Sequence, residues 1–439
     1  MNPLLRLLRQ LLATLLAWVL LPLLFLWSLG CRLRRKVTQP RLLWGPCPII
    51  SYKYWSVAMA KAGFQSRTLM FGYYASINKR KDYDAYCSDW FDGLPKPLAR
   101  AANFFLAPYA GFLRAVWGYE IHHLCFSGGY LGATSLWRYE APLLALAGVK
   151  TVLMPYGADA YMYSRIVDPC LRHVLNISYP TMARREGEVQ RRVFYWSKWA
   201  DAIIANFMST DGMPRNDVGI FSNVTIDTEL WQPCETYSSA DGRKGMVNVI
   251  HTPNHRGFKG SEFLIKAVEE LQAEGLQVKL ILLERLQNDE VRRIMREEAD
   301  ILAEQFIATA YAMSGIEGMA TGLPVMANLD HPAYTQPFRR YSFLNECPIL
   351  STTPESLKEH LRMLITRPEL REALGKAGRV FVTKYHSERT AQFLFSKVYD
   401  RIWFGREVDL INLFHPLLGE YACDQPKTDH PLVENRLPC

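Results

Sequence analysis

Apolar positions along the chain form one unbroken run near the amino terminus, and then short apolar runs that alternate with longer amphipathic stretches. The unbroken run covers residues 10–31, which are 22 residues without a charge. About 20 apolar residues are needed for a helix to cross the hydrocarbon core of a bilayer. The pattern therefore predicts a membrane anchor within residues 1–36.

The flanks of this run distinguish an anchor from a cleaved leader. Pro22, Phe25 and Trp27 continue the run where a leader would end in small residues, and four cations follow within residues 32–36. Because the flank after the run is the more basic one, the positive-inside rule places the rest of the chain on the cytoplasmic side. The alternative is a helix that lies in the membrane interface, since Pro22 can break a spanning helix.

The alternating pattern after the anchor is typical of parallel α/β units, so an α/β fold class is predicted. The first Rossmann-like domain is expected at residues 37–235. Its predicted strands are residues 42–44, 66–71, 120–125, 151–154 and 202–205, and its predicted helices are residues 51–62 and 184–199.

Residues 234–245 are rich in serine, glycine and charge, which indicates a linker to a second domain at residues 246–387. A long helix at residues 388–405 and an irregular, proline-containing tail at residues 406–439 complete the expected organisation. The second domain's predicted strands are residues 247–251, 278–283 and 324–328, and its predicted helices are residues 261–273, 289–298, 354–364 and 368–383.

Charge and composition exclude several classes of protein. Six of the 51 basic residues lie in residues 1–36, which contain no acid, so 45 basic groups face 43 acidic groups in the rest of the chain. Because the two numbers nearly balance, the composition does not indicate a basic surface for binding nucleic acid. With 49% hydrophobic and 21% charged residues, the chain is not disordered, collagenous, coiled-coil or polytopic.

The nine cysteines are scattered and form no CxxC pair, which argues against a disulfide framework or a zinc site and fits a reducing compartment. Asp82-Tyr83-Asp84 is the nearest approach to an acidic metal motif. It lies beside three cations in a polar loop, so a solvated turn is the better interpretation, and no metal cofactor is expected.

The stretch from His251 to Ser261 lies between a predicted strand and a predicted helix. Arg256 and Lys259 precede the helix, where free N–H groups favour an anion, and Gly257 and Gly260 allow close backbone approach. The stretch therefore predicts a site for a diphosphate, with Ser261 as the first helical residue. A solvated basic turn at a helix start is the alternative, because no GxGxxG or Walker pattern is present.

A second stretch, Gly315-Ile316-Glu317-Gly318-Met319-Ala320-Thr321-Gly322-Leu323-Pro324-Val325, predicts a short helix closed by a glycine and followed by a strand. Glu317 is expected in the first turn, where the helix dipole favours a carboxylate that can also reach a ligand hydroxyl. The alternative is a plain capping glutamate.

Together the two stretches resemble the donor-binding domain of the GT-B glycosyltransferases of the large retaining family 4. In that family the arginine and lysine hold the donor diphosphate, and the glutamate binds the ribose of the nucleotide sugar. The resemblance implies these roles for Arg256, Lys259 and Glu317, with further donor contacts at Gly257, Gly260, Ser261, Gly315 and Ile316. The matching positions after the glutamate are Met319, Gly322, Pro324 and Val325.

The chain departs from the family's pattern at one position of this motif. The family usually has another glutamate eight positions before the ribose-binding one, and Thr309 occupies that place here. The nearest acid is Glu304.

The resemblance extends into the first domain, where it implies contacts to an acceptor. Gly157 and Asp159 follow a predicted strand where the family often has a His-Gly-x-Asp stretch, with Tyr156 in the histidine position. Gly45 matches the place of the family's first glycine loop. His122 and His123 close another strand, and for each the alternative is a structural hydrogen-bonding role.

These observations imply a GT-B architecture of two Rossmann-like domains that face a cleft, preceded by a membrane helix. The implied activity moves a sugar, with retention, from a nucleotide-sugar donor to a membrane-proximal acceptor such as a lipid-linked oligosaccharide, lipopolysaccharide or envelope polysaccharide. Two alternatives stay open. One is a GT-B protein without catalysis that binds a nucleotide sugar or glycan as a regulatory subunit, and the other is a GT-B sugar-nucleotide epimerase.

Overall fold

A computed structural model describes residues 3–35, 37–75, 78–206, 210–220 and 222–438. The first part of the chain forms a six-stranded parallel sheet of order β3-β2-β1-β4-β5-β6. Its strands are β1 (Leu42–Trp44), β2 (Ser66–Met70), β3 (Ala85–Tyr86), β4 (Ile121–Leu124), β5 (Lys150–Leu153) and β6 (Ala202–Ile203). The accompanying helices are α1 (Pro3–Arg34), α2 (Ile50–Lys61), α3 (Lys96–Phe105), α4 (Ala107–Gly118), α5 (Trp137–Leu146), α6 (Pro169–Ser178), α7 (Pro180–Ala183) and α8 (Glu186–Trp199).

The second part forms a five-stranded parallel sheet of order β11-β10-β9-β7-β8. Its strands are β7 (Val247–His251), β8 (Val278–Leu282), β9 (Ile301–Gln305), β10 (Val325–Ala327) and β11 (Leu350–Ser351). The helices are α9 (Arg256–Lys259), α10 (Ser261–Ala273), α11 (Asn288–Glu297), α12 (Met313–Ala320), α13 (Pro332–Tyr341), α14 (Leu357–Thr366), α15 (Pro368–Tyr385), α16 (Glu388–Ile402) and α17 (Glu420–Cys423).

The predicted fold class is confirmed, because two parallel sheets flanked by helices follow an apolar amino-terminal helix. Strands such as β4 and β9 are buried along their whole length, as expected for a parallel sheet covered on both faces. The described residues between β6 and β7 contain neither helix nor strand, which leaves one irregular connection between the sheets.

Loops at the carboxyl edges of the two sheets contact one another. Tyr179, which follows α6, packs edge-on against His255 at the start of α9, with their ring centroids 4.8 Å apart. On the other side, Lys79 donates to Asp289 of α11 at 2.7 Å. In parallel α/β sheets this edge is where ligands bind, so a ligand between the sheets would meet both halves of the chain.

Helix α16 returns from the second sheet and packs on α2 of the first. Its Gln392 donates to the carbonyl of Ala58 at 2.9 Å, and its Phe395 packs against Trp44 and Trp55. Aromatic side chains of α16 thus join the two halves of the chain.

The described carboxyl-terminal residues, 406–438, contain little regular structure but are packed against the rest of the chain. They contain α17, and Asn435 is buried and donates to the carbonyls of Cys347 at 2.7 Å and Ile349 at 3.1 Å. Leu413, Phe414 and Tyr421 are buried in the main core. The prolines limit regular structure there, but enough apolar side chains remain for the segment to pack.

Helix α1 is the one described helix that is long and apolar enough to cross a membrane, and a signal sequence or a core helix would pass the same test. A stripe formed by Ala17, Leu24, Ser28 and Cys31 is buried. This spacing lies on one face of a helix, and that face packs against α4 and α5. The residues after Leu16 are therefore attached to the first domain.

Arg35 fixes the carboxyl end of α1. Its Nη2 donates to the carbonyls of Val116 at 2.7 Å and Tyr119 at 3.2 Å, and its Nε lies 3.6 Å from the buried carboxylate of Glu120. Arg41 also pairs with Glu120, at 2.7 Å.

Replacing Arg35 by alanine is expected to lower the free energy of unfolding by about 1–3 kcal/mol, because two backbone acceptors and part of the charge compensation of Glu120 are lost. Chemical denaturation of the full chain in detergent measures this change. Arg34→Ala is the control, since Arg34 stacks over Trp117 at 3.8 Å and forms no hydrogen bond or ion pair among the described residues. Equal stability of the Arg35→Ala variant and the parent would contradict the described attachment of α1.

Candidate functional site

A cluster of polar side chains lies at the carboxyl edge of the second sheet, around Lys259. This lysine is 5% exposed, and its Nζ donates to Oε1 of Glu304 and to Oε1 of Gln305, the latter at 3.0 Å. Ser314 Oγ donates to the same Glu304 oxygen at 2.9 Å. The other carboxylate oxygen of Glu304 is buried and has no hydrogen-bond partner among the described residues.

Glu317 lies in the same region but not where the sequence places it within its helix. Because α12 begins at Met313, Glu317 is its fifth residue and belongs to the second turn, so the prediction of the first turn is wrong. The helix is closed by Gly322, which follows Thr321 and has a φ of +80°. At Gly318 an added Cβ would overlap the side chain of Leu302 in β9, so this glycine allows α12 to pack closely on the sheet.

The carboxylate of Glu317 is buried, with 8% of the residue exposed. Asn288 Nδ2 donates to its Oε1 at 3.1 Å. Burial raises the pKa of Glu317 to about 7, while the hydrogen bond from Asn288 and the nearby charge of Lys259 act in the opposite direction. A buried carboxylate with an uncharged partner is suited to accept hydrogen bonds from a ligand.

Arg256 and Lys259 do not form an uncompensated pair of cations, in contrast to the anion site expected from the sequence. Arg256 is exposed and bonds to both oxygens of Glu284, at 2.8 and 2.7 Å. Lys259 pairs with Glu304. Glu304 belongs to the end of β9, and Glu284 lies in the loop after β8. Neither carboxylate is part of the motif around Arg256 and Lys259.

The remaining donor-side candidates have mixed environments. Ser261 is fully buried, and its Oγ lies 2.7 Å from Nε2 of His251. Because Nδ1 of His251 contacts the carbonyl of Ala303 at 2.6 Å, Nδ1 carries the proton and Nε2 accepts from the serine. Ser261 therefore has a structural bond of its own, and Ile316 is fully buried in the core.

The two glycines of the loop serve different needs. Gly260 has a φ of +75°, which favours glycine, and it links α9 to α10. At Gly257 an added Cβ would lie 3.3 Å from Cγ2 of Ile177 in α6. The loop thus approaches the first domain closely enough that a side chain at this position would crowd the contact.

Thr309 occupies the place of the glutamate that the resemblance leads us to expect. It is buried, and its Oγ1 donates to Oδ1 of Asn328 at 3.3 Å and accepts from the N–H of His331 at 3.3 Å. No carboxylate stands at this position. Glu304, five residues earlier, is instead directed at Lys259.

In the first domain, Asp159 lies beside a cavity of about 610 Å³ at the carboxyl edge of the sheet, whose lining also includes Cys47, Gly128 and Arg192. Oδ2 of Asp159 accepts from the N–H of Phe126 at 2.8 Å. Burial raises the pKa of Asp159 to about 6.

The other residues of this loop adjoin the cavity. Tyr156 is exposed, and its N–H donates to Oδ1 of Asp159 at 2.6 Å, while Gly157 has a φ of +61°. Gly45 has a φ of +153° and precedes Pro46 and Cys47, which line the cavity. The structure thus brings Gly45, Tyr156, Gly157 and Asp159 to one edge of the first sheet.

His122 and His123 lie inside the fold instead. His123 Nδ1 donates to the carbonyl of Leu43 at 3.0 Å, its Nε2 accepts from the hydroxyl of Tyr399 at 2.8 Å, and its ring stacks on Trp44. His122 Nε2 contacts the carbonyl of Ala115 at 3.2 Å. Burial lowers the pKa of both histidines to about 3. This placement favours the structural alternative for both.

Replacing His123 by phenylalanine is expected to cost about 1–3 kcal/mol of stability, because the buried carbonyl of Leu43 and hydroxyl of Tyr399 lose their partner. Ligand binding to the folded variant is expected to be unchanged. Denaturation and ligand titration on the same preparation test both statements. Loss of binding at unchanged stability would instead show that His123 contacts a ligand.

Several residues of both edges were not predicted. The sequence identifies Glu304 only as the acid nearest to Thr309, without a role, and it does not identify Gln305, because β9 is not among the predicted strands. Asn288 is not identified because it opens an ordinary surface helix. Glu140 is a buried carboxylate that accepts from the N–H groups of Gly129 and Leu131, and burial raises its pKa to about 7. The run Ser127-Gly128-Gly129 after a strand is the signal that could have located that loop.

The described residues contain no group of three or more His, Cys, Asp or Glu side chains that could hold a metal ion. The two aspartates of Asp82-Tyr83-Asp84 are engaged by cations, since Asp82 pairs with Lys53 at 2.7 Å and Asp84 with Arg67 at 3.0 Å.

Neither the family models nor the curated proteins yield a match to this chain. Among solved structures, similarity is found to Anabaena HepE in complex with UDP-glucose, with 14% identity and a TM-score of 0.49 over 83% of this chain and 99% of that chain. A glycosyltransferase from Rickettsia africae is 11% identical, with a TM-score of 0.44 over 83% and 99%. S. aureus MnaA with UDP is 10% identical, with a TM-score of 0.41 over 84% and 97%. Because a fold alone does not establish a function, the function is inferred from the residues of this chain.

Proposed function

We propose that the protein is a glycosyltransferase that moves a sugar from a nucleotide-sugar donor to an acceptor at a membrane surface. The observation that carries this proposal is that a buried glutamate, Glu317, lies within electrostatic reach of a buried lysine, Lys259, at the carboxyl edge of the second sheet. Glu317 is buried with one uncharged hydrogen-bond partner among the described residues, and the charge of Lys259 reaches it. A nucleotide sugar offers both a ribose diol and a diphosphate to such a pair.

The lysine retains capacity for a phosphate although it is already paired. An ammonium group has three N–H donors, and Glu304 and Gln305 accept two of those of Lys259. The third donor has no partner among the described residues and is available to a phosphate oxygen.

Arg256 can also bind a phosphate, although it is paired with Glu284. This ion pair is exposed, and exposed ion pairs contribute little to stability, so little is lost when it breaks. A donor diphosphate can replace Glu284 as the partner of Arg256. In this proposal Arg256 and Lys259 stabilise the negative charge that develops on the diphosphate as the glycosidic bond breaks, without a metal ion. Glu317 orients the ribose.

The acceptor enters from the first domain in this proposal, through the cavity beside Asp159. The apolar helix α1 holds the protein at the cytoplasmic face of a membrane, which suits a lipid-linked or envelope glycan acceptor. Transfer with retention of configuration follows the resemblance to family 4.

A second candidate function is a GT-B protein that binds a nucleotide sugar without transferring it. Two observations favour it: Thr309 stands where the family has a glutamate, and both cations already have carboxylate partners. Donor turnover distinguishes the two, since the binding protein releases no nucleoside diphosphate from a bound donor.

The test is a thermal-shift screen of the full chain in detergent with nucleoside diphosphates and their sugars. A ligand that binds the native state raises the melting temperature by mass action. We expect one nucleotide to do so, and Arg256→Ala and Glu317→Gln to diminish its effect. Arg293→Ala is the matched control, because Arg293 is an exposed arginine of α11 that pairs with Glu290 at 2.7 Å. An undiminished shift in both site variants would refute the assigned site.

A further inference from the structure

Helix α1 is attached to the body along more than half of its length. On one side Trp27 Nε1 donates to the carbonyl of Leu113 in α4 at 3.1 Å. On the other side the ring of Trp18 packs edge-on against Tyr139 of α5, with centroids 5.6 Å apart. Together with the bonds of Arg35 described above, these contacts fix residues 17–35 against the first domain.

This attachment leaves too short a segment to cross a bilayer. Residues 3–16 extend about 21 Å as a helix at 1.5 Å per residue, whereas the hydrocarbon core is about 30 Å thick. The short segment also carries Arg6 and Arg9, and Arg9 stacks over Phe104 of α3 at 3.6 Å. If residues 17–35 crossed the bilayer instead, α4 and α5, which pack on them, would have to enter the hydrocarbon core. They would bring the charged side chains of Arg114 and Arg138 with them.

The outward side of α1 is nevertheless apolar and exposed over its whole length. We call the membrane face the outward residues of α1 together with Phe104, Trp117 and Tyr139, which contact α1 from α3, α4 and α5. These three aromatic residues are 39%, 41% and 39% exposed. Aromatic residues that flank an apolar surface are typical of the boundary between hydrocarbon and headgroups. The exposed apolar residues of α1 include Leu8, Leu11, Leu15, Trp18, Val19, Leu23, Phe25, Leu26, Leu29 and Leu33.

Cations surround the carboxyl end of this face. Two adjoining cavities, of about 860 and 380 Å³, share Trp117 with it. Nη1 of Arg35 is buried without a hydrogen-bond partner among the described residues, and Arg35 lines the smaller cavity. Helix α1 contains no acid. The basic residues that line the two cavities are Arg34, Arg35, Arg41, Lys53, Arg67, Lys81 and Arg114, and the acidic ones are Asp82, Asp84 and Glu120.

We propose that α1 lies in the plane of the membrane, with the membrane face immersed in one leaflet and the cations at its carboxyl end bound to the phosphates of anionic lipids. An apolar face of this extent is unusual on a soluble monomer, and the excess of cations beside it complements anionic headgroups. The occupant is therefore an anionic phospholipid leaflet. This inference shares with the proposed function only the location at a membrane.

Vesicle flotation of the full chain tests whether the membrane face binds lipid. We expect stronger binding to vesicles of phosphatidylcholine with phosphatidylglycerol than to phosphatidylcholine alone. Phe104→Ala and Tyr139→Ala should each weaken binding about tenfold, because each removes an aromatic side chain from the immersed surface. Tyr341→Ala is the matched control, since Tyr341 is 52% exposed on α13 of the second domain. Unchanged binding of both face variants would overturn the proposal.

The cationic cavities are tested separately. Arg34→Gln combined with Arg114→Gln should reduce the preference for anionic vesicles, by about fivefold for each cation. Inorganic phosphate is the second arm of this experiment. If it shifts the melting temperature without vesicles and the double variant abolishes that shift, the cavities bind a free anion, and the lipid assignment is overturned.

The orientation of α1 is tested by Arg6→Cys in sealed vesicles from expressing cells, treated with a membrane-impermeant maleimide. Lys279→Cys, in the second sheet, reports on which side of the membrane the two sheets lie. The parent protein measures the labelling of the native cysteines. Labelling of both positions from one side supports the in-plane helix, and labelling from opposite sides overturns it.

The nucleotide-dependent melting shift is measured on Phe104→Ala and Tyr139→Ala as well, so that failure of this proposal is distinguishable from failure of the donor site.

Discussion

Glutamine in place of Glu317 is expected to weaken binding of the nucleotide-sugar donor by about ten- to 150-fold. The loss corresponds to hydrogen bonds to a charged acceptor, which contribute about 1.5–3 kcal/mol. Glutamine keeps the size of the side chain and its bond to Asn288, so the change isolates the charge. Titration of the donor identified in the thermal-shift screen measures the effect.

The same residue predicts a pH dependence of donor binding. Burial raises the pKa of Glu317 to about 7, and the carboxylate accepts hydrogen bonds from the ribose on both oxygens only when it is ionised. Donor affinity should therefore fall as the pH drops through that pKa, by up to about tenfold per pH unit. The glutamine variant should not show this decrease.

Stability provides the control for this variant. The pKa of Glu317 is raised from 4.5 to about 7 in the folded protein, so the folded state binds more protons between these values and loses stability as the pH rises through them. Glutamine removes that cost. Above the raised pKa the variant should be more stable than the parent, on the order of 3 kcal/mol, and below pH 4.5 the difference should vanish. A variant that is less stable than the parent at high pH, or that binds the donor normally, would contradict this account of Glu317.

Methionine in place of Lys259 is expected to lower the free energy of unfolding by about 3–5 kcal/mol, because removal of one partner leaves the other charge buried and unpaired. The side chains of Lys259 and Glu304 are 6% and 0% exposed, and they are paired. Chemical denaturation measures the loss. Donor binding should fall too, since the phosphate loses an ammonium donor.

A double variant separates the two effects. Lys259→Met combined with Glu304→Leu removes both buried charges, so most of the stability should return, whereas donor binding should not. Lys384→Met is the matched control, because Lys384 forms another buried pair in the same domain, with Glu346 at 2.7 Å. It should be destabilised similarly yet bind the donor. Normal donor affinity of the double variant would remove Lys259 from the proposed site.

The sequence predicts best those elements whose pattern is local. Strand β7 and helix α10 have the predicted bounds, because a short buried strand, a glycine-containing loop and an amphipathic helix follow one another without ambiguity. Helices α3, α4 and α5 were not predicted. The apolar residues of α4 and α5, such as Phe112 and Leu144, belong to one core that the sheet and α1 share, so these two helices show no simple amphipathic period.

The sequence singles out the motif residues Lys259 and Glu317, but it does not predict the electrostatics around them. Glu304 lies 45 positions from Lys259 in the sequence, and the strand order of the second sheet brings the two together. Long-range pairing of this kind has no local signal. His123 shows the converse: a strand-end histidine suggests chemistry, whereas its partners Leu43 and Tyr399 make it part of the core.

In the anchor region, the packing of α1 against the first domain is the feature that the sequence does not predict. Its composition is compatible with a spanning helix, but the small residues Ala17, Ser28 and Cys31 repeat on one face and pack against α4 and α5. Composition measures how apolar a helix is. It does not show that one side of the helix is already covered by protein.

The role of Glu317 in donor binding is tested by equilibrium titration of the full chain in detergent with the donor selected by the thermal-shift screen, at pH values one unit above and one unit below the pKa of Glu317. A donor site built on Glu317 should give saturable binding that is stronger at the higher pH, and that becomes weak and independent of pH in Glu317→Gln. Binding that is equally strong at both pH values and in the variant, or no binding of any nucleotide sugar, would contradict a donor site built on Glu317 and Lys259.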